Sequence, residues 1–111
     1  MSREVTLEIM KSIIENYLEN EITRQQVVEQ LINRVDVGFI HNLDVKTEPD
    51  NFFITDCYWT IKHLTESGYE TTDEEIRYFS ECFSGKRSYN VDEKNKMLRN
   101  HFAGLRDKRD K

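Results

Sequence analysis

Cys57, Cys82, His41, His63 and His101 are the side chains of this sequence best suited to nucleophilic or metal chemistry. A thiol becomes a nucleophile when an imidazole within hydrogen-bond reach takes its proton. Cys57 and His63 stand six residues apart, on different sides of any helix that carries both. Cys82 and His101 can meet only through the tertiary fold. Both cysteines fall on apolar stripes, in DCYWTIKHL and IRYFSECF, where a free thiol behaves as a small hydrophobe. The histidines occur singly, without the HxxxH or HExxH spacing of a zinc site. Asp44, Glu48 and Asp50 do not follow the calcium-loop pattern, which needs glycine at its sixth place and glutamate at its twelfth. Hydrolysis by paired acids needs two carboxyls at a fixed separation in contrasting environments, and no pair here is singled out by position. No glycine-rich loop offers to cradle a phosphate. The expectation is a protein without catalytic residues, metal or cofactor, acting on no small-molecule substrate.

What the sequence has in excess is charge, and the charge comes in blocks. Residues 1–40 carry four basic and seven acidic side chains, residues 41–84 three and ten, and residues 85–111 nine and four. The net values are therefore −3, −7 and +5, which make up the overall −5. One arrangement folds the basic last third back onto the acidic middle. The other leaves the middle third as an anionic face that steers a basic partner toward it. Asp50, Asp56, Glu66, Glu70, Asp73 and Glu74 are the candidate carboxylates of such a face. Tyr58, Trp59 and Tyr69 lie among them, and aromatic side chains are frequent interface anchors. Trp59 itself reads as a core residue ahead of an interface anchor. A separate possibility places nucleic acid on the basic C-terminal helix, with Lys86, Arg87, Lys94 and Lys96 on phosphates and Tyr89 or Phe102 stacking on bases. The sequence pI of about 5.2 opposes it, since nucleic-acid-binding domains are basic overall.

The elements that must position these groups are helical. A chain of 111 residues holds one core, and twelve aromatic residues provide the apolar surface to fill it. A first helix is predicted over Ser2–Glu19, with Met10, Ile13, Ile14, Tyr17 and Leu18 on one side. Thr23 and Gln26 form a capping box, with Ile22 and Val27 as its hydrophobic staple. Val28, Leu31, Ile32 and Val35 continue the second stripe toward Gly38, a left-handed stop. Residues 39–50 read as a loop or one short helix with Phe39, Ile40 and Leu43 buried. Pro49 opens a central helix whose stripe is Phe53, Ile54, Cys57, Tyr58, Ile61 and Leu64, ending at Gly68. Thr72-Asp73-Glu74-Glu75 has the form of a cap followed by an acidic first turn, which opposes the helix dipole. Ile76, Phe79 and Phe83 line that helix, and Gly85 ends it. A last helix runs from near Asp92 past Phe102, with Met97, Leu98, Phe102 and Leu105 inward. The fold expected is all-α, a single-domain bundle of about five helices over residues 1–105 with a frayed charged tail at 106–111.

Nothing in the sequence approaches the ~20 apolar residues of a membrane span, and MSREVTLEIM is no secretory signal. Two cysteines outside any CxxC pair suit reduced thiols, hence a cytoplasmic location. In size, helix content and acidity, the stretches EITRQQVVEQLINRV, DCYWTIKHL and ESGYETTDEE resemble the helical immunity proteins of bacterial contact-dependent growth inhibition. That resemblance implies a cognate toxin domain as partner, often a nuclease with a basic groove, bound directly without nucleic acid or membrane. Each member of that family is shaped to one toxin, so the resemblance transfers no functional residue.

Overall fold

The helix starts marked by Thr23 and Thr72 are hydrogen-bonded caps in the structure, a computed structural model that describes residues 2–46, 48–66 and 72–97. The first helix, α1 (Arg3–Leu18), begins where the Ser2 hydroxyl accepts from the Val5 amide at 3.1 Å. Asn20, at φ 62°, turns the chain out of it. α2 (Arg24–Arg34) carries the full capping box: Thr23 Oγ1 accepts from Gln26 N at 3.2 Å, and Gln26 Oε1 from Thr23 N at 2.8 Å. α3 (Val37–His41) is a single short turn capped by Asp36. α4 (Pro49–Lys62) opens on proline, whose missing N–H leaves no bond unmade there, and tightens into a 3-10 turn at His63–Thr65. α5 (Asp73–Phe83) ends before Gly85, which takes φ 79° as expected of a stop. Residues 91–97 are helical again.

The bundle is all-α among the described residues, with α4 at its centre in contact with α1, α2, α3 and α5. Met10, Ile13 and Ile14 from α1 meet Val27 and Leu31 from α2, and all five are buried. Ile54, Cys57 and Ile61 of α4 and Ile76 and Phe79 of α5 complete one continuous core. Each such side chain contributes about 1.5–3 kcal/mol by leaving water. No described helix is long and apolar enough to cross a membrane.

Three expectations are corrected here. Gly38 is no helix stop: α2 ends at Arg34, Val35 adopts an extended backbone, and Gly38 lies inside α3. The reason is Asp36, whose Oδ1 accepts from the Gly38 amide at 2.9 Å and so starts a new helix where a stop was expected. The stripe of α2 is also rotated. Val27, Leu31 and Val35 face the core, while Ile32 is 51% exposed. The central helix also ends before its expected stop at Gly68: α4 stops at Lys62, the 3-10 turn at Thr65, and Glu66 is extended. Gly68 itself, the last helix beyond residue 97 and the tail at 106–111 lie outside the described residues.

The segment after α5 is fastened by polar groups inside an aromatic cluster. Lys94 Nζ lies 2.6 Å from Asp56 Oδ2, and the Tyr89 hydroxyl donates to the same oxygen at 2.5 Å. The side chain of Lys94 is 6% exposed and that of Asp56 20%. Around them Phe53 meets Phe79, Phe83 and Tyr89 at centroid distances of 5.6, 5.3 and 5.0 Å. The Tyr78 hydroxyl donates to the Asn90 carbonyl at 3.0 Å and accepts from the Asn90 amide at 2.8 Å. Removing one partner of a buried pair strands the other charge. Lys94→Ala is therefore expected to lower stability by about 3 kcal/mol in urea unfolding. The apolar double change Asp56→Leu with Lys94→Met should cost less than Lys94→Ala alone; a double variant weaker than the single would show that the ion pair contributes net stability.

Candidate interaction surface

α4 sends consecutive residues to opposite fates. Tyr58 turns into the core at 2% exposure, while Trp59 stays at the boundary, half-buried. The Trp59 ring meets Tyr58 edge-on at 5.1 Å and has the rings of His41 at 5.8 Å and His63 at 5.9 Å beside it. His41 comes from α3 and His63 from the turn that ends α4, so the indole joins two elements. Next to it runs a groove of about 350 Å³ with apolar walls from Ile32, Val35, Val37 and Trp59. Tyr58, Asp36 and Lys62 complete its lining. Ile32 and Val37 are 51% and 43% exposed, so the patch is apolar and open. Burial raises the Tyr58 phenol above its ordinary range, and the nearby charge of Asp36 raises it further.

Past His63 the chain reaches an acidic pole built by three elements. Asp73, the first residue of α5, accepts from the Tyr17 hydroxyl at 2.6 Å and from Arg24 Nη2 at 2.7 Å. Arg24 Nε donates to the Tyr17 oxygen at 3.0 Å, closing a triangle across α1, α2 and α5. Its Nη1 reaches the Leu64 carbonyl at 3.5 Å. Glu66 is exposed, with His63 Nε2 at 3.4 Å. The Tyr17 hydrogen bond, then Arg24, hold the Asp73 carboxyl below the usual range. Glu75 moves the other way: burial pushes its carboxyl up, against the opposing charge of Lys94 and a bond from the Thr72 backbone.

The residues singled out in the sequence separate into groups. Trp59 lies by the C-terminal end of α2, Asp73 by Arg24 at its N-terminal end, and Glu66 near His63, while Glu74 is exposed beside Asp73. Asp50 is exposed in the first turn of α4. Asp50 and Glu74 form no ion pair among the described residues. Two expected surface groups belong to the interior instead. Tyr58 is core because it shares the inward stripe of Ile54 and Ile61, and Asp56 is committed to Lys94 and Tyr89. Tyr69 and Glu70 lie outside the described residues. Tyr89 packs on Phe53 and Phe79, and Arg87 is bound to Glu81 at 2.8 Å and Glu93 at 2.6 Å. Cys57 is fully buried, and burial pushes its thiol well up. Cys82 is half-buried and also shifted up by burial.

Ile32, Asp36 and Val37 were missed as surface groups. The signal for Ile32 was present: Val27-Val28 and Leu31-Ile32 are adjacent apolar pairs, and one helix face takes only one member of each. No family model, curated protein or solved structure matches the chain.

The Asp73 triangle has a pH signature. A carboxyl held low in the folded state stabilises above its unfolded pKa, near ~3.9, and loses that contribution as pH falls through the folded value. Asp73→Asn is expected to lower stability by about 0.5–1 kcal/mol near pH 7, a small figure because both partners are well exposed. Urea midpoints of variant and wild type should converge near pH ~2. A gap that persists there would assign the loss to shape rather than charge.

Proposed function

We propose that this chain is an immunity protein that binds and neutralises a cognate toxin domain, acting in the cytoplasm as a binding protein rather than an enzyme. Its partner is a basic protein surface, met by the groove beside Trp59 and the carboxylates beyond it. The observation that carries this reading is the half-buried Trp59 next to Ile32 and Val37, an apolar patch that the fold leaves open. A large aromatic side chain with open apolar neighbours is the usual composition of an interface anchor.

The charge distribution supports the same reading. Among the acids of residues 41–84, Glu48, Asp56, Asp73 and Glu81 have cationic partners in Arg3, Lys94, Arg24 and Arg87. Asp50, Glu74 and Glu75 form no ion pair among the described residues. The fold therefore neutralises part of the acidic middle, and the exposed Asp50 and Glu74, unlike the partly buried Glu75, support a role in association. The nucleic-acid alternative is weakened by the same contacts, since Lys94 is buried on Asp56 and Arg87 is held between two carboxylates.

The test is co-expression with the C-terminal domain of a secreted protein encoded immediately upstream. A stable complex and relief of toxicity are expected. Trp59→Ala should weaken binding about 30-fold or more, the scale of an interface hot spot. Glu66→Lys should slow association at low salt and matter little at high salt. If no such domain binds, or if both variants bind and protect as wild type does, the reading is wrong.

A further inference from the structure

We infer that the groove beside Trp59 takes the side chain of an arginine presented by the basic partner, with its guanidinium at Asp36 and its methylenes along Ile32, Val37 and Trp59. This rests on the proposed binding function and states the chemistry of the group that enters. An apolar trough alone selects no particular side chain. This trough has a carboxylate at one end and aromatic residues along its lining, and that combination matches an arginine. The guanidinium is planar, weakly hydrated and able to bond a carboxylate while lying on a ring, and its stem buries well on apolar walls. A lysine ammonium is more strongly hydrated and gains less from the same walls.

Asp36 is placed for this role by its position as a helix cap. Oδ1 is held by the Gly38 amide at 2.9 Å, and among the described residues no group donates to Oδ2. Asp36 forms no ion pair among the described residues. The absence of a side chain at Gly38 keeps the carboxylate in place, since a Cβ there would lie 3.3 Å from Oδ1 and 3.7 Å from Oδ2. Tyr58 lines the same groove, and its phenol is raised by burial first and then by the nearby charge of Asp36.

Lys62 lines the same groove and carries the opposite sign. It therefore decides between ligand classes. A cation at Asp36 is repelled by Lys62 and gains when that charge is removed, whereas an acidic ligand would lose its partner.

Trp59 is the only tryptophan, so its fluorescence reports on the groove directly. The probe is an acetylated Gly-Arg-Gly amide, compared with the same peptide carrying neutral citrulline. Saturable binding of the arginine peptide is expected, with the citrulline peptide about five-fold weaker or more, as loss of a charge-assisted bond requires. Asp36→Asn keeps a competent helix cap and should weaken the arginine peptide to the same degree. Lys62→Gln should tighten it about two- to five-fold. No saturable binding, equal binding of citrulline, indifference to Asp36→Asn, or weaker binding in Lys62→Gln would each overturn the inference. A toxin complex of wild-type affinity with Asp36→Asn would remove the arginine site and leave the immunity reading. Arginine binding here without any toxin partner would do the reverse.

Discussion

Asp56 accepts from Lys94 and Tyr89 on a single carboxylate oxygen, and that arrangement ties the described segment after α5, up to residue 97, to α4. A lysine with its ammonium this far from water is tolerable only beside a fixed anion, so Lys94 can occupy one place on α4. The hydroxyl of Tyr89 brings its ring onto Phe53 and Phe79, and Lys94 lies over Phe79 at 5.2 Å. Polar specificity and aromatic burial are thus obtained from the same few side chains. On α4 the two side chains differ in use: Asp56 is engaged internally by Lys94 and Tyr89, while Trp59, nearly one turn on, stays half-buried at the boundary.

This division explains why the sequence was informative about elements and less so about the surface. Helix starts were legible because a cap is a local device: Ser2, Thr23 and Thr72 each bond an amide three residues away. The core of α4 was legible for the same kind of reason, since Ile54, Cys57, Ile61 and Leu64 repeat at helical spacing and all are buried. Asp56 was not legible. Its fate depends on Lys94, 38 residues away, and no local pattern distinguishes it from exposed Asp50. Of the two alternatives drawn from the charge blocks, the folding back of the basic segment is met in part, through Lys94 on Asp56 and Arg87 on Glu81, while Asp50 and Glu74 form no ion pair among the described residues.

The Asp36 corner was misread for a related reason. A glycine after an apolar stripe usually means a stop, but an aspartate two residues before it competes as an N-cap. Here the cap wins, and a five-residue helix starts at Val37, the short-helix reading of this stretch rather than the loop. Val37, the first residue of that helix, and Ile32 of α2 are both exposed there and both line the groove.

A helix as short as α3 has almost no stability of its own, so its position must come from what it touches. Ile40 is anchored in the core, and His41 packs on Trp59, which also meets Tyr58 and His63. Of the groove's lining, Trp59 is held by ring packing and the Asp36 carboxylate by a backbone bond. In the association proposed above, groups held in this way would lose little conformational freedom. The same economy constrains the site. Asp36 starts α3 as well as lining the groove, and Trp59 joins α3 to the end of α4 as well as facing outward. A substitution that retunes binding at either residue must also preserve a structural contact, so Asn and Phe are more readily accepted there than Ala.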